Sequence, residues 1–304
     1  MVRLPLNESV QVLGDSLPMA TKRFYRLENR FKVQPELYSQ YKAFMEEYLQ
    51  LGHMEEVTGE FTTNNSCYYL PHHPVIREDS LTTKVRVVFD ASAKTLNGPS
   101  LNDIMMIGPT VQSDLATILI KFRVHKIAFC ADLTKMYRQI LVDPQDRDLQ
   151  RIVWRNQPHE SLQHFKLRTV TYGTASAPYL ATRCLNQIAI DIERVDKTTA
   201  DVIQNDFYID DLLSGAPTLE EAKQLQVRIQ QVLCNAGLEL RKWCSNSADL
   251  LRSLDLDPCA QDENFLIKIG DQDSVKSLGL SWYPQTDELQ FKTNFNPSSA
   301  RCTK

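Results

Sequence analysis

The chain has 304 residues, 42% hydrophobic and 24% charged, a composition that marks a globular protein with room for one large core or two modest ones. Its 34 Lys+Arg against 38 Asp+Glu leave a formal net charge of −4, so bulk electrostatics gives no support to a nucleic-acid partner and local patches would have to supply any such binding. No apolar run reaches 18 residues, the N-terminus lacks the apolar stretch of a signal peptide, and the seven scattered cysteines form no C-x-x-C pair; these features disfavour a membrane protein, a disulfide scaffold and a zinc module, and predict a soluble, cytoplasmic chain.

Near the N-terminus, Lys22, Arg23, Arg26, Arg30 and Lys32 alternate with Phe24, Tyr25 and Phe31, a pattern open to two readings: a nucleic-acid patch or a solvated helix face. A second basic group, Lys121, Arg123, His125 and Lys126, carries the same two readings. Leu37, Tyr41, Phe44, Tyr48 and Leu51 fall at helical spacing, which predicts a helix over residues 35–51 that starts at Pro35 and stops at Gly52. Residues 67–76 and 84–90 are rich in β-branched and aromatic side chains and predict two antiparallel strands. His72 and His73 are neighbours on the first of these strands, where side chains alternate between faces, so they are expected to be structural rather than joint ligands of one ion.

A helix is predicted over 113–124, capped by Ser113 or Asp114, followed by a buried strand from Ile127 to Leu133. Strands are predicted at 150–154 and 164–171, and a helix over 177–190 with Pro178 in its first turn. Phe207-Tyr208-Ile209 and Leu212-Leu213 are short apolar runs separated by Asp210 and Asp211, the loop length of a tight hairpin. Thr218 and Glu221 form a capping box for a helix that ends near Gly237. This mixture of helices and antiparallel hairpins predicts an α+β fold with helices packed on one face of an antiparallel sheet.

Two features stand out chemically: Asp132 closing the apolar strand Ile127-Ala128-Phe129-Cys130-Ala131, and the adjacent Asp210 and Asp211 at a hairpin tip. Each has an ordinary explanation, because Asp is common in turns and caps. If the two strands are neighbours, however, three carboxylates converge, and their repulsion calls for neutralising cations. Mg2+ suits an all-oxygen ligand set, and two such ions are the apparatus of in-line phosphoryl displacement.

With these residues in view, the chain resembles the reverse transcriptases, more narrowly those of BEL/Pao-type retrotransposons, over almost its whole length. The run Ala131-Asp132-Leu133-Thr134-Lys135-Met136-Tyr137 is similar to the family's first palm motif, and Tyr208-Ile209-Asp210-Asp211 to its Y-x-D-D box. Residues 167–178 (LRTVTYGTASAP) resemble the segment beneath template and incoming nucleotide, departing from the commoner Leu-Pro-Phe-Gly form at Thr171 and Tyr172. Residues 237–243 (GLELRKW) resemble a later palm motif, residues 277–280 (SLGL) the primer grip, and residues 84–90 (KVRVVFD) the fingers strand that clamps a triphosphate.

The resemblance implies a fingers-and-palm fold and an RNA-directed DNA polymerase. It implies two Mg2+, replaceable by Mn2+, on Asp132, Asp210 and Asp211, with dNTP contacts from Arg86, Lys84, Tyr137, Tyr172, Gly173 and Lys242. Tyr137 takes the place of the steric gate that excludes a ribonucleotide 2′-hydroxyl, and Arg86 that of a guanidinium on phosphate oxygens. Tyr208, Leu278 and Gly279 take template or primer positions. Partners implied are dNTPs and an RNA or DNA template with primer, in the cytoplasm or in virus-like particles.

The expected organisation is an N-terminal helical lead-in (1–60), a fingers-like part (61–125), a palm (126–283) with fingers elements interleaved around 140–175, and the start of a thumb or connection (284–304). Only 21 residues follow Tyr283, too few for a thumb, so the expectation is a slice of a Pol polyprotein whose thumb, RNase H and integrase parts are missing, or a degenerate copy. Two other readings stay open: a catalytically inactive nucleic-acid-binding remnant, and an interaction domain with no nucleic-acid role.

Overall fold

The computed structural model describes residues 1–57, 67–76, 85–95, 98–254 and 274–291. The chain divides into two compact units: Met1–Val111 with Lys135–Cys184, and Gln112–Thr134 with the described residues from Leu185 on. None of the described helices is long and apolar enough to cross a membrane.

The first unit opens with α1 (Leu17–Val33), α2 (Pro35–Gln50), β1 (Met54–Glu56), β2 (His72–Ile76) and β3 (Val85–Phe89). In α1, Ala20, Phe24, Leu27 and Phe31 recur every three or four residues and are buried, while Lys22, Arg26, Arg30 and Lys32 are exposed. The N-terminal basic group therefore lies on the exposed face of an amphipathic helix, while Phe24 and Phe31 are core rings. Helix α2 runs from Pro35 and stops just short of Gly52, as predicted. Strands β2 and β3 pair antiparallel from His72↔Phe89 to Ile76↔Val85.

The chain next passes through the second unit as α3 (Leu115–Val124) and β4 (Ile127–Leu133), then returns for β5 (Arg151–Trp154) and β6 (Gln163–Leu167). Strand order here is β1-β6-β5. The strand predicted over 164–171 ends at Leu167, beyond which Thr169 only bridges Leu141. Rings fill the interior of this unit, with Trp154 5.6 Å from Tyr41 and 5.7 Å from Phe24. His72 is buried among them: its Nε2 donates to the Val153 carbonyl at 2.9 Å, so Nδ1 accepts from the Tyr41 hydroxyl at 2.5 Å. Burial lowers its pKa to about 4, which makes it a neutral, structural histidine at ordinary pH.

Helix α4 (Ala177–Ile192) leads into α5 (Lys197–Asn205), β7 (Phe207–Tyr208), β8 (Asp211–Ala216), α6 (Leu219–Asn235), β9 (Leu240–Ser245), α7 (Ala248–Leu254), β10 (Val275–Ser277), β11 (Leu280–Tyr283) and β12 (Glu288–Gln290). The main sheet of the second unit has the order β7-β8-β4-β9, all antiparallel, and β10-β11-β12 form a small second sheet. Ile118 and Phe122 of α3 pack with Ala128, Cys130, Leu213 and Cys244 of the main sheet and with Val275 and Trp282 of the small one. The Phe122 and Trp282 rings meet edge-on at 4.9 Å. Asp114 caps α3 by accepting from the Thr117 amide at 2.9 Å. Thr218 caps α6, accepting from the Glu221 amide at 3.3 Å while its hydroxyl donates to the Glu221 carboxylate at 2.9 Å. Helices on antiparallel sheets give the α+β fold expected from the sequence.

Asp206, which ends α5, is a buried acid whose carboxylate accepts from the Ser214 hydroxyl at 2.7 Å. Burial raises its pKa from 3.8 to about 6, against the opposing pull of Ser214 and Lys121. The folded state therefore holds this proton to higher pH than the unfolded chain, so the contribution to stability is full below about pH 4 and is lost as pH rises to 6. Asp206→Asn, which cannot ionise, is expected to gain on the wild type by up to about 3 kcal/mol between pH 4 and 6, read from denaturant midpoints. A pH-independent difference would show that the acid is not desolvated.

Candidate active site

Strand β4 is buried from Ala128 to Ala131 and brings Asp132 to its end half-buried. Asp132 pairs in register with Asp211 on the neighbouring β8, and Asp211 pairs in turn with Tyr208 on β7. That register corrects the sequence-based hairpin: the two loop residues are Ile209 and Asp210, and Asp211 is already the first residue of β8. The reason lies in Ile209, whose φ of 57° supplies the left-handed residue of the turn, a place usually taken by Gly because a β-branched side chain is strained there. Two hydrogen bonds hold this strained turn: the Ile209 amide donates to Gln112 Oε1 at 3.0 Å, and the Leu133 amide donates to the Asp210 carbonyl at 2.8 Å. The second bond ties the turn directly to the end of β4. Gln112 has no signal in the sequence that separates it from any loop glutamine.

On the other side of β4, β9 contains a bulge. Cys130 faces Cys244 and Asp132 faces Arg241, so Lys242 and Trp243 together stand opposite Ala131. The extra residue bends the strand, and Lys242 adopts a φ of 56°. Its Nζ lies 2.7 Å from Asp132 Oδ2.

Burial, reinforced by the charges of Asp210 and Asp132 and eased by Lys242, raises the Asp211 carboxyl to about 7. Asp211 thus keeps its proton to about neutral pH beside two further carboxylates, with the Lys242 ammonium as one offsetting charge. Among the described residues no three His, Cys, Asp or Glu side chains are drawn into a metal-ligand sphere. The donors nonetheless fit a hard divalent ion: carboxylate oxygens gathered at the end of adjacent strands, close enough that Asp210 and Asp132 raise the proton affinity of Asp211.

The remaining residues singled out in the sequence fall in three places. Tyr137, Tyr172, Gly173 and Arg86 belong to the first unit. There the Tyr137 and Tyr172 rings meet edge-on at 4.7 Å, Arg86 points to solvent from β3, and Gly173, with φ 98°, lies against the Phe89 carbonyl at the end of that strand. Asn102 clamps this loop, donating to the Gly173 carbonyl at 2.9 Å and accepting from the Ala175 amide at 2.8 Å; nothing in the sequence marks it out from an ordinary turn asparagine. Leu278 and Gly279 form the two-residue turn between β10 and β11, both with positive φ. Leu278 and Tyr208 also pack against the core of the second unit. Lys84 lies outside the described residues.

Comparison with known proteins bears on the fold and the family. The foamy viral protease–reverse transcriptase, solved in complex with double-stranded DNA, is similar at 15% identity and a TM-score of 0.52 over 84% of this chain and 35% of that one. A Prototype Foamy Virus protease–reverse transcriptase mutant is similar at 17% identity and a TM-score of 0.50, over 68% of this chain and 23% of that one. At such identities the likeness is one of fold, and the chain spans about a third or less of the solved chains it matches. No curated protein matches it. The family model for reverse transcriptase (RNA-dependent DNA polymerase) matches residues 81–280, about two thirds of the sequence, a span that contains every one of the carboxylates just described. The chain belongs to the reverse transcriptase family.

Proposed function

We propose that this chain is the fingers and palm of a template-directed DNA polymerase that joins a dNTP to a primer 3′-hydroxyl. The observation that carries this reading is the in-register pairing of Asp132 with Asp211, with Asp210 on a turn bonded to β4. Residues 126–283 are read as the palm, with fingers elements interleaved around 140–175, residues 61–125 as the fingers, residues 1–60 as their helical lead-in, and residues 284–304 as the start of a thumb or connection.

Reverse transcriptases generally use Mg2+, and Asp132, Asp210 and Asp211 would hold two such ions, or Mn2+ in their place. When bound, these ions supply polarisation of the attacking hydroxyl and neutralisation of the departing pyrophosphate. The O3′–Pα bond forms as the bond from Pα to pyrophosphate breaks, and the hydroxyl proton passes to solvent water. The chain's own part is positioning and charge. Arg86, with Lys84, grips phosphate oxygens by charge-assisted hydrogen bonds; Lys242 adds a third positive charge. Tyr172 and Gly173 support the nucleotide and template, and Tyr208, Leu278 and Gly279 the primer. That the foamy viral relative was solved on double-stranded DNA supports an RNA or DNA template with primer as the partner.

Tyr137 is read as the ring that meets a ribose 2′-hydroxyl. Tyr137→Val is expected to raise rNTP use relative to dNTP by roughly ten- to a hundredfold, measured as the ratio of the two kcat/KM values. An unchanged ratio would remove the gate from Tyr137.

The origin we propose is the Pol polyprotein of a BEL/Pao-type retrotransposon, on the strength of residues 131–137, 167–178 and 208–211; flanking genomic DNA that encodes RNase H and integrase would support it. The activity is tested by dNTP incorporation on poly(rA)/oligo(dT) with Mg2+ or Mn2+. Metal-dependent incorporation is expected. Salt-sensitive nucleic-acid binding without incorporation would move the assignment to an inactive binding remnant.

A further inference from the structure

We infer that Lys242 competes with the divalent cation for Asp132, acting as the cluster's exchangeable counter-ion; this rests on the reading of Asp132, Asp210 and Asp211 as metal ligands. Three observations carry it. The first is the contact itself, with Lys242 Nζ 2.7 Å from Asp132 Oδ2, an oxygen that a hard cation would need. An ammonium at hydrogen-bond distance and a divalent ion cannot share that oxygen without strong repulsion, so one must give way to the other.

The second is the backbone. Lys242 holds a left-handed φ of 56° inside the β9 bulge, a conformation that Gly adopts without strain and a lysine does not. A lysine at this position accepts a backbone cost in return for what its side chain does. The third is exposure: the Lys242 side chain is half-exposed, more so than that of Arg241, the cross-strand partner of Asp132, whose guanidinium lies 3.0 Å from Glu239. The cation 2.7 Å from Asp132 is this half-exposed lysine, whose flexible four-carbon stem lets the ammonium swing out into water. The bulge therefore supplies the carboxylate cluster with one removable positive charge.

The test is a titration of the whole chain with Mn2+, followed by the loss of the free-ion electron paramagnetic resonance signal, without nucleotide or nucleic acid. Lys242→Gly relieves the left-handed backbone, so the fold is retained, and Lys242→Arg keeps the charge. Lys242→Gly is expected to bind Mn2+ about fivefold more tightly than the wild type, the size of a half-exposed ion pair, and to gain more thermal stability from the metal. Lys242→Arg should stay close to the wild type. Equal or weaker affinity in Lys242→Gly would overturn the competition while leaving the metal site standing. No Mn2+ binding by any of the three proteins would overturn the metal site as well. Weaker binding by Asp210→Asn in the same titration would support that site independently of Lys242.

Discussion

Replacing Asp132 with Asn is expected to lower dNTP incorporation by about a thousandfold or more while leaving the protein at least as stable as before. The loss follows from what the carboxylate does: an anionic oxygen held at the end of β4 is exchanged for a neutral amide, and the charge that would hold a divalent ion at the reacting phosphate goes with it. The stability follows from the surroundings. Asn has the shape of Asp, the backbone pairing of β4 with β8 is untouched, and one member of a mutually repelling set is removed. The lost Lys242 contact is half-exposed and contributes about 1 kcal/mol at most. Incorporation kinetics and thermal melting, run on the same preparation, separate the two effects. A variant that loses activity only because it unfolds would show that Asp132 is a structural cap of β4.

Gly173→Ala is expected to destabilise the protein by about 3–5 kcal/mol. A Cβ at this position would stand 2.0 Å from the Phe89 carbonyl oxygen, where ordinary contacts begin at 3.4 Å. Neither side can yield easily. Phe89 is locked by β2–β3 pairing opposite His72, and the Gly173 segment is held at two points by Asn102. The φ of 98° adds a backbone penalty for any residue with a side chain. Unfolding in guanidinium reads the effect as a lower midpoint. Because Tyr172 precedes Gly173 and its ring contacts Tyr137, surviving protein should also show a raised KM for dNTP. A loss below about 1 kcal/mol would mean that the loop moves aside, and that its close approach to β3 is not a fixed part of the fold.

The sequence disclosed those elements whose signal is local. Helices α2, α3 and α6 carry apolar periodicity together with Pro35, Asp114 and the Thr218–Glu221 box, and β4 is a short apolar run with a definite end. Helix α1 stays open between a helix face and a nucleic-acid patch in the sequence, because its charges dominate a composition whose core face is only Ala20, Phe24, Leu27 and Phe31. The site was legible as residue types but not as geometry. Asp132 and the Asp210-Asp211 pair could be singled out, whereas their pairing depends on strand order, a contact between segments about 80 residues apart. The one-residue displacement of the hairpin loop arose because nothing local foretells an isoleucine in a left-handed turn; the bonds from Gln112 and to Leu133 hold it there. The bulge at Lys242 was hidden for the same reason, since a register shift is a relation between two strands. Asn102 and Gln112 act through backbone contacts to distant segments, which leave no pattern in their own neighbourhood.

The central claim, that Asp132, Asp210 and Asp211 form the catalytic centre of a DNA polymerase, is tested most directly by primer extension on poly(rA)/oligo(dT) with wild type and Asp210→Asn in parallel across a Mg2+ titration. Incorporation by the wild type is expected to rise with Mg2+ and to be lost in Asp210→Asn at every concentration. Equal incorporation by the two proteins would contradict the claim.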